Sequence, residues 1–234
     1  ALILRHQFWS LGLMSKIFPA ATVVLARDGE TGLEVLMLRR STAVSFARGS
    51  WVFPGGRIDK EDYSHDLDDI ESAARRGAAR ETREEANLII NEQNMVYFAH
   101  WTTPPDSPKR FATWFFISDV TASGHHDVIV DGSEIVEHRW YSPREALLDR
   151  QAQVIEMLPP TFMTLEELVD CQSAAEAVSM CGSAPSAITL PTFNRSGEGM
   201  AMVHAQYEPA NEGVSGAGDC VSLIDEAWRQ EPLA

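Results

Sequence analysis

Apolar and polar positions fall into short, regular runs along the first two thirds of this chain. Residues 20–26 are almost wholly apolar and predict a buried strand, closed by a turn at Arg27-Asp28-Gly29-Glu30-Thr31-Gly32. In residues 34–39, Val35, Met37 and Arg39 alternate with Leu36 and Leu38, which predicts the returning strand. Trp51-Val52-Phe53 reads as a short strand stopped by Pro54-Gly55-Gly56, and the acidic stretch 59–69 as a surface loop. The period then changes. Ile70, Ala73, Ala74, Gly77, Ala78 and Glu81 recur at steps of three and four, predicting a helix from about Asp69 to about Asn87. Strands are expected over 88–100, 111–120 and 135–141, the first two joined by a loop carrying Pro104, Pro105 and Pro108. Ser142-Pro143-Arg144-Glu145 has the residues of a helix start, with Ser142 as cap and Pro143 in the first turn. Thr164 and Glu167 suggest a second capped start. Beyond Cys171 the pattern fades, leaving strands at 187–190 and 200–206 and a Gly- and Ser-rich loop over 208–220.

Composition narrows this. With 234 residues, 44% hydrophobic and 23% charged, the chain can bury a full core without disulfide or metal staples. No apolar run is long enough to span a membrane. A net charge of -15 argues against binding nucleic acid through a basic surface, but not against a nucleotide accompanied by divalent cations. Residues 151–234 hold 12 acidic and only 2 basic side chains, so the last third is read as an acidic extension. Cys171, Cys181 and Cys220 are odd in number and lack metal-ligand spacing, which suits reduced thiols and a cytoplasmic location. Residues 1–17 are read as a packed leader rather than a signal peptide.

Glu81, Glu84 and Glu85 stand at i, i+3 and i+4, so three carboxylates share one helix face. A solvated face with Arg80 and Arg83 as counter-ions has that look. So does a site for a hard cation, which takes carboxylate and carbonyl oxygens.

The surrounding residues weigh toward the second. Gly56, Arg80-Glu81 and Glu84-Glu85, with Leu88 as the final aliphatic position, resemble the signature of the Nudix hydrolase family, G-x5-E-x7-R-E-U-x-E-E-x-G-U. The chain departs from it in three ways. About ten extra residues lie between Gly56 and the helix, and Asn87 replaces the usual glycine. The first Glu has two possible counterparts, Asp62 by spacing from Gly56 and Glu71 by spacing toward the helix. Asn tolerates the left-handed conformation, so the turn at 87 can survive. The resemblance implies an α+β fold with a mixed β-sheet sandwiched between helices, spanning 18–152 and followed by the extension 153–234. It implies Mg²⁺ or Mn²⁺ held by Glu81, Glu84, Glu85 and a backbone carbonyl at Gly55-Gly56, with Arg80 holding the glutamates. The general base is left open between Glu81 and a later carboxylate, Glu134 or Glu137.

The run Arg39-Arg40-Ser41 … Phe53-Pro54-Gly55-Gly56-Arg57 looks like the subgroup that cleaves coenzyme A and acyl-CoA to 3′,5′-ADP and 4′-phosphopantetheine. Arg39, Arg40, Arg48, Arg57 and Arg110 are candidate phosphate ligands, because guanidinium forks match phosphate oxygens. Lys109 is a further candidate. Phe111, Trp114, Phe115 and Trp140 read as packing more than base-stacking, and His125-His126 and Ser215-Gly216-Ala217-Gly218 as neither metal pair nor phosphate loop. ADP-ribose or NADH hydrolysis and a non-catalytic nucleotide sensor are the alternatives. The expected partner is a small nucleotide-diphosphate, with no nucleic acid and no membrane; a homodimer is left open.

Overall fold

The structure, a computed structural model, describes residues 16–63, 69–104, 107, 109–123 and 127–183, and past these the backbone of seven short strands between 187 and 232. A mixed sheet lies between helices, as the resemblance implied. Its spine is β1 (Ile17–Gly29), bonded in parallel to β6 (Arg110–Asp119) from Ile17↔Arg110 to Ala26↔Asp119. This long parallel ladder carries β1 beyond the run of six or seven apolar residues that predicted it. On its other edge β1 pairs antiparallel with β2 (Gly32–Arg40), and nearer its start with β4 (Gly55–Arg57). β3 (Trp51–Val52) and β7 (Ile135–Tyr141) both pair with β2, and β5 (Val96–Thr102) with β6.

One face is covered by α1 (Ile70–Ala86). Asp69 caps it by accepting a bond from Ser72 N, and Asn87 ends it in the left-handed conformation at φ 56°. Its buried stripe is small, Ala73, Ala74, Ala78 and Ala86, which lets the helix lie close on Ala21, Val23, Leu25 and Phe116. The other face is covered by α2 (Pro143–Gln151), α3 (Pro159–Leu168) and α4 (Ala174–Ser183). Phe162, Met163, Leu165 and Leu168 of α3 and Ala174, Ala177 and Cys181 of α4 share one core with Val24, Val35, Phe98 and Phe115. Helices beyond residue 152 therefore complete the sandwich. Past them, β8 (Ala187–Thr189) adds in parallel to β5, and β11 (Gln206–Glu208) and β12 (Gly213–Ser215) extend that edge. β9 (Thr192–Ser196), β10 (Gly199–Val203), β13 (Asp219–Ile224) and β14 (Ala227–Pro232) form a separate four-stranded sheet.

Several expectations are corrected. The strand expected over 88–100 begins only at Val96. Residues 92–94 form a 3-10 turn, with the Asn91 side chain accepting from Gln93 N, so this capping bond outcompetes extension. The helix expected from Thr164 starts at Pro159. The Pro159-Pro160 pair opens it, and Thr164 sits inside, donating its hydroxyl to Pro160 O at 2.9 Å. The stretch 59–69 is not all surface: residues 60–62 form a 3-10 turn and Asp62 is buried. α4 had no sequence forecast, and β12 lies where a loop was expected. Ser142 does cap α2, accepting from Glu145 N at 3.2 Å. Residues 1–15 of the expected leader, His125-His126 and Gly216-Ala217-Gly218 lie outside the described residues. Among the described residues no helix is long and apolar enough to cross a membrane.

Cys181 is buried, and burial followed by the nearby Glu167 pushes its thiol up to about 12. The reactive thiolate is therefore scarce near neutral pH. In the native protein Cys181 should resist iodoacetamide and in urea react freely, read by peptide mass spectrometry. Equal labelling in both would show that α4 does not bury it.

Candidate active site

The turn after β3 sets the position of the site. Pro54 has no N–H, but its carbonyl accepts from Val23 N at 3.0 Å and from Thr22 Oγ1 at 2.7 Å. This pins Gly55-Gly56 against β1. A Cβ on Gly55 would lie 2.4 Å from Ala21 O, and one on Gly56 2.4 Å from the Glu81 carboxyl carbon. The two glycines differ: at 55 a Cβ would meet backbone, and at 56 only the carboxylate end of an α1 side chain.

Two α1 glutamates meet this turn, and a third stands beside them on the helix. Glu81 lies on bare Gly56 with its side chain 17% exposed; Glu84, at 51%, reaches toward solvent. Glu85 is buried, and its Oε2 accepts from Gly55 N at 2.9 Å. Burial raises the carboxyl pKa of both inner residues, Glu85 to about 8, with the mutual proximity of Glu81 and Glu85 adding to the latter. Arg80 offsets part of this charge, bonding Glu81 and Glu84 through Nη1 at 3.0 and 3.1 Å. Its other side takes Asp62 through Nε and Nη2 at 3.1 and 3.0 Å, and Nη2 also donates to Arg57 O at 2.9 Å. Asp62, rather than Glu71, is thus the acid beside Arg80, while Glu71 pairs with Arg75. The bare Gly77 admits it, with a Cβ there only 3.1 Å from Asp62 Oδ2. The spacing from Gly56 was the sequence signal for this residue.

Arg40 closes the other side, with Nη1 3.6 Å from Glu85 and Nη2 3.3 Å from Glu134. These groups border a cavity of about 890 Å³, lined also by Arg57, Lys109, Trp101, Phe115 and the first turn of α3. The remaining arginines go elsewhere. Arg39 pairs with Glu137 at the surface, and Arg48 donates to Val44 O. Arg110 is buried and donates to Thr103 O at 3.0 Å. The reason for the last is strand alternation. Lys109, Phe111, Thr113 and Phe115 face the cavity, so their even-numbered neighbour Arg110 cannot. Lys109 takes its place, and the same parity, read from the sequence, could have shown it. Trp114 and Trp140 pack partly buried and Phe115 fully, as expected, whereas Phe111 belongs to neither core and stands at the cavity.

Among the described residues no three His, Cys, Asp or Glu side chains are gathered into a ready cation cage. The donor set still suits a hard divalent ion, being made of carboxylate oxygens beside the Gly55-Gly56 turn. An ion there would share Glu81 and Glu84 with Arg80, and Glu85 with Arg40.

The family model described as NUDIX domain matches residues 16–159, and the chain belongs to that family. It is 27% identical to Putative nudix hydrolase 7 of Caenorhabditis elegans over 184 residues, covering 64% of this chain and 59% of that one. It is 24% identical to Acyl-coenzyme A diphosphatase NUDT19 of Xenopus laevis, with 61% of each covered. The chain therefore spans about three fifths of the length of these relatives. A NUDIX hydrolase structure from Alicyclobacillus acidocaldarius superposes with a TM-score of 0.64 at 26% identity, over 74% of this chain and all of that one.

Two substitutions should separate scaffold from site. Gly55→Ala forces Cβ onto backbone and should lower stability by about 1–3 kcal/mol in urea melts. Gly56→Ala meets only the end of a side chain and should fold while displacing Glu81, so wild-type Tm with at least tenfold lower turnover is expected. Asp62→Ala strips the buried acid from Arg80 and should cost about 1.5–3 kcal/mol by the same melts. Wild-type stability of D62A would mean that the other carboxylates hold Arg80 unaided.

Proposed function

We propose that this chain hydrolyses the diphosphate bond of a nucleoside-diphosphate-linked compound, with Mg²⁺ or Mn²⁺ held by Glu81, Glu84 and Glu85, and that the compound is CoA or acyl-CoA. The observation that carries the reading is the meeting of Glu81 and Glu85 with the Gly55-Gly56 turn, beside Glu84, in a cavity that also holds unlike charges, Arg40 and Arg57. A bound divalent ion would supply neutralisation of the phosphoryl oxygens and a water of lowered pKa. The chain's own residues do the rest. Arg80 orients Glu81 and Glu84 by charge-assisted bonds, anchored from behind by Asp62. Arg40 presents its guanidinium group to the diphosphate. Glu134, 61% exposed at the rim, and Glu81 are the two candidates to take the proton from the attacking water. The preference for CoA is supported by the likeness of the run 39–57 to the CoA-cleaving subgroup and by the Xenopus laevis relative, named an acyl-coenzyme A diphosphatase. An apolar wall of Trp101, Phe115, Leu158 and Pro159 leaves room for a pantetheine arm.

Incubation with CoA, an acyl-CoA, ADP-ribose and NADH in Mg²⁺ or Mn²⁺, with product identification, tests the proposal. Release of 3′,5′-ADP from CoA or acyl-CoA is expected. ADP-ribose or NADH as the only substrate would refute the CoA assignment, and no turnover of any would leave a binding module. Glu84→Gln and Glu85→Gln keep shape but remove charge, so turnover and Mn²⁺ affinity should each fall about 100-fold. Full activity in excess chelator would sink the metal-dependent reading.

A further inference from the structure

The cavity also has an aromatic rim that diphosphate hydrolysis does not use. Phe46, from the loop between β2 and β3, and Phe111 of β6 stand with ring centroids 5.3 Å apart, tilted by 60°. Phe111 lies 6.3 Å from Phe18 in turn. Both Phe46 and Phe111 line the cavity, and Phe46 is 38% exposed. Its loop is built rather than loose. Arg40 Nε donates to Phe46 O at 3.3 Å, Arg48 Nε to Val44 O at 2.8 Å, and Ser50 N to Ala47 O at 3.1 Å. Ala47 and Gly49 take left-handed φ of 51° and 70° to close it. A non-glycine residue held there costs conformational energy, and the result is a large apolar ring kept at the cavity mouth.

Cations gather at the same rim. The Arg57 guanidinium lies 4.4 Å from the Phe18 centroid and Lys16 Nζ 5.1 Å from it, while Lys109 is exposed at the cavity beside Phe111. Among the described residues none of the three is paired with a carboxylate. In a chain of net charge -15 that is a local positive patch awaiting an anion. Aromatic faces beside unpaired cations match a planar base whose sugar carries phosphate. An aliphatic chain would gain from the rings but not from the charges.

We infer that Phe46 and Phe111 bind the base at the nucleotide end of the substrate, and that Lys109 and Arg57 bind a phosphate on its ribose, separate from the diphosphate. This deepens the proposed function by placing the nucleotide at the end of the cavity formed by the 41–50 loop and β6. It makes the ribose phosphate a determinant of specificity.

Binding of nucleotide fragments tests this without turnover. Calorimetry of the whole chain would compare adenosine 3′,5′-bisphosphate, 5′-AMP and inorganic pyrophosphate. Wild type should bind the bisphosphate at least about 10-fold more tightly than AMP. Phe46→Ser should weaken both nucleotides about 10-fold and leave pyrophosphate unchanged, whereas Phe46→Tyr should retain nucleotide affinity. Lys109→Ala should weaken the bisphosphate alone. Equal affinity of wild type for the two nucleotides would overturn the inference, as would F46S and K109A binding all ligands like wild type, or F46Y losing as much as F46S. If CoA is not hydrolysed but this binding pattern holds, the proposed reaction fails and the nucleotide site stands. If CoA is hydrolysed equally by wild type, F46S and K109A, the reaction stands and this site fails.

Discussion

The close approach of α1 to the Gly55-Gly56 turn is the constraint on which the rest of the structure depends. A side chain at either glycine would collide, with the β1 backbone at 55 and with the Glu81 carboxylate at 56. Both ends of the contact are prepared. The alanine stripe of α1 lets the helix lie low on β1, and the Pro54 carbonyl, bonded to Val23 and Thr22, holds the turn down. Hence Glu85 can reach Gly55 N from the helix, and three acids of one helical turn come to line a cavity, two of them largely shielded from water.

Collecting acids in a partly buried place has an electrostatic cost, visible in the upward push on the Glu81 and Glu85 carboxyls. Two arginines offset it from opposite sides. Arg80 is itself backed by the buried Asp62, so the helix, the 3-10 turn and β4 are tied through one guanidinium. Arg40 leans in from β2 and spans Glu85 and Glu134. One arginine therefore arises within the helix that carries the acids and the other across the cavity. This keeps the carboxylates apart and oriented in a chain with a large acidic surplus.

The second face of the sheet matters to the site as well. α3 and α4 pack into the core with β1, β2, β5 and β6, and the first turn of α3 supplies an apolar wall to the cavity. The acidic last third thus begins as a structural layer. The cavity it helps enclose is acidic along α1, apolar along α3, and both aromatic and cationic beside the 41–50 loop and β6, a division suited to a ligand with a polyanionic centre and dissimilar arms.

How much was legible follows from how local each feature is. The period of α1, the left-handed Asn87 and the Ser142-Pro143 start rest on neighbouring residues, and they were readable because capping and propensity act within a turn. So was the triplet Glu81, Glu84, Glu85, whose spacing places it on one face. Less local features were misread. Thr164-x-x-Glu167 looked like a helix start, but Pro159-Pro160 opened the helix a turn and more earlier. Residues 88–95 looked extended until the Asn91 cap claimed them. Of the five arginines named for phosphate, the fold brings Arg40 and Arg57 to the cavity and sends Arg39, Arg48 and Arg110 to other partners. The sequence by itself determined α1 and the placing of its three acids on one face, because those are written in spacing along one element, while the sandwich was implied by the family resemblance. Only the tertiary structure decided that Asp62 and not Glu71 backs Arg80, that Glu134 meets Arg40, and that Phe46 meets Phe111. Each of these depends on where two separate elements cross and which side of a strand faces the cavity.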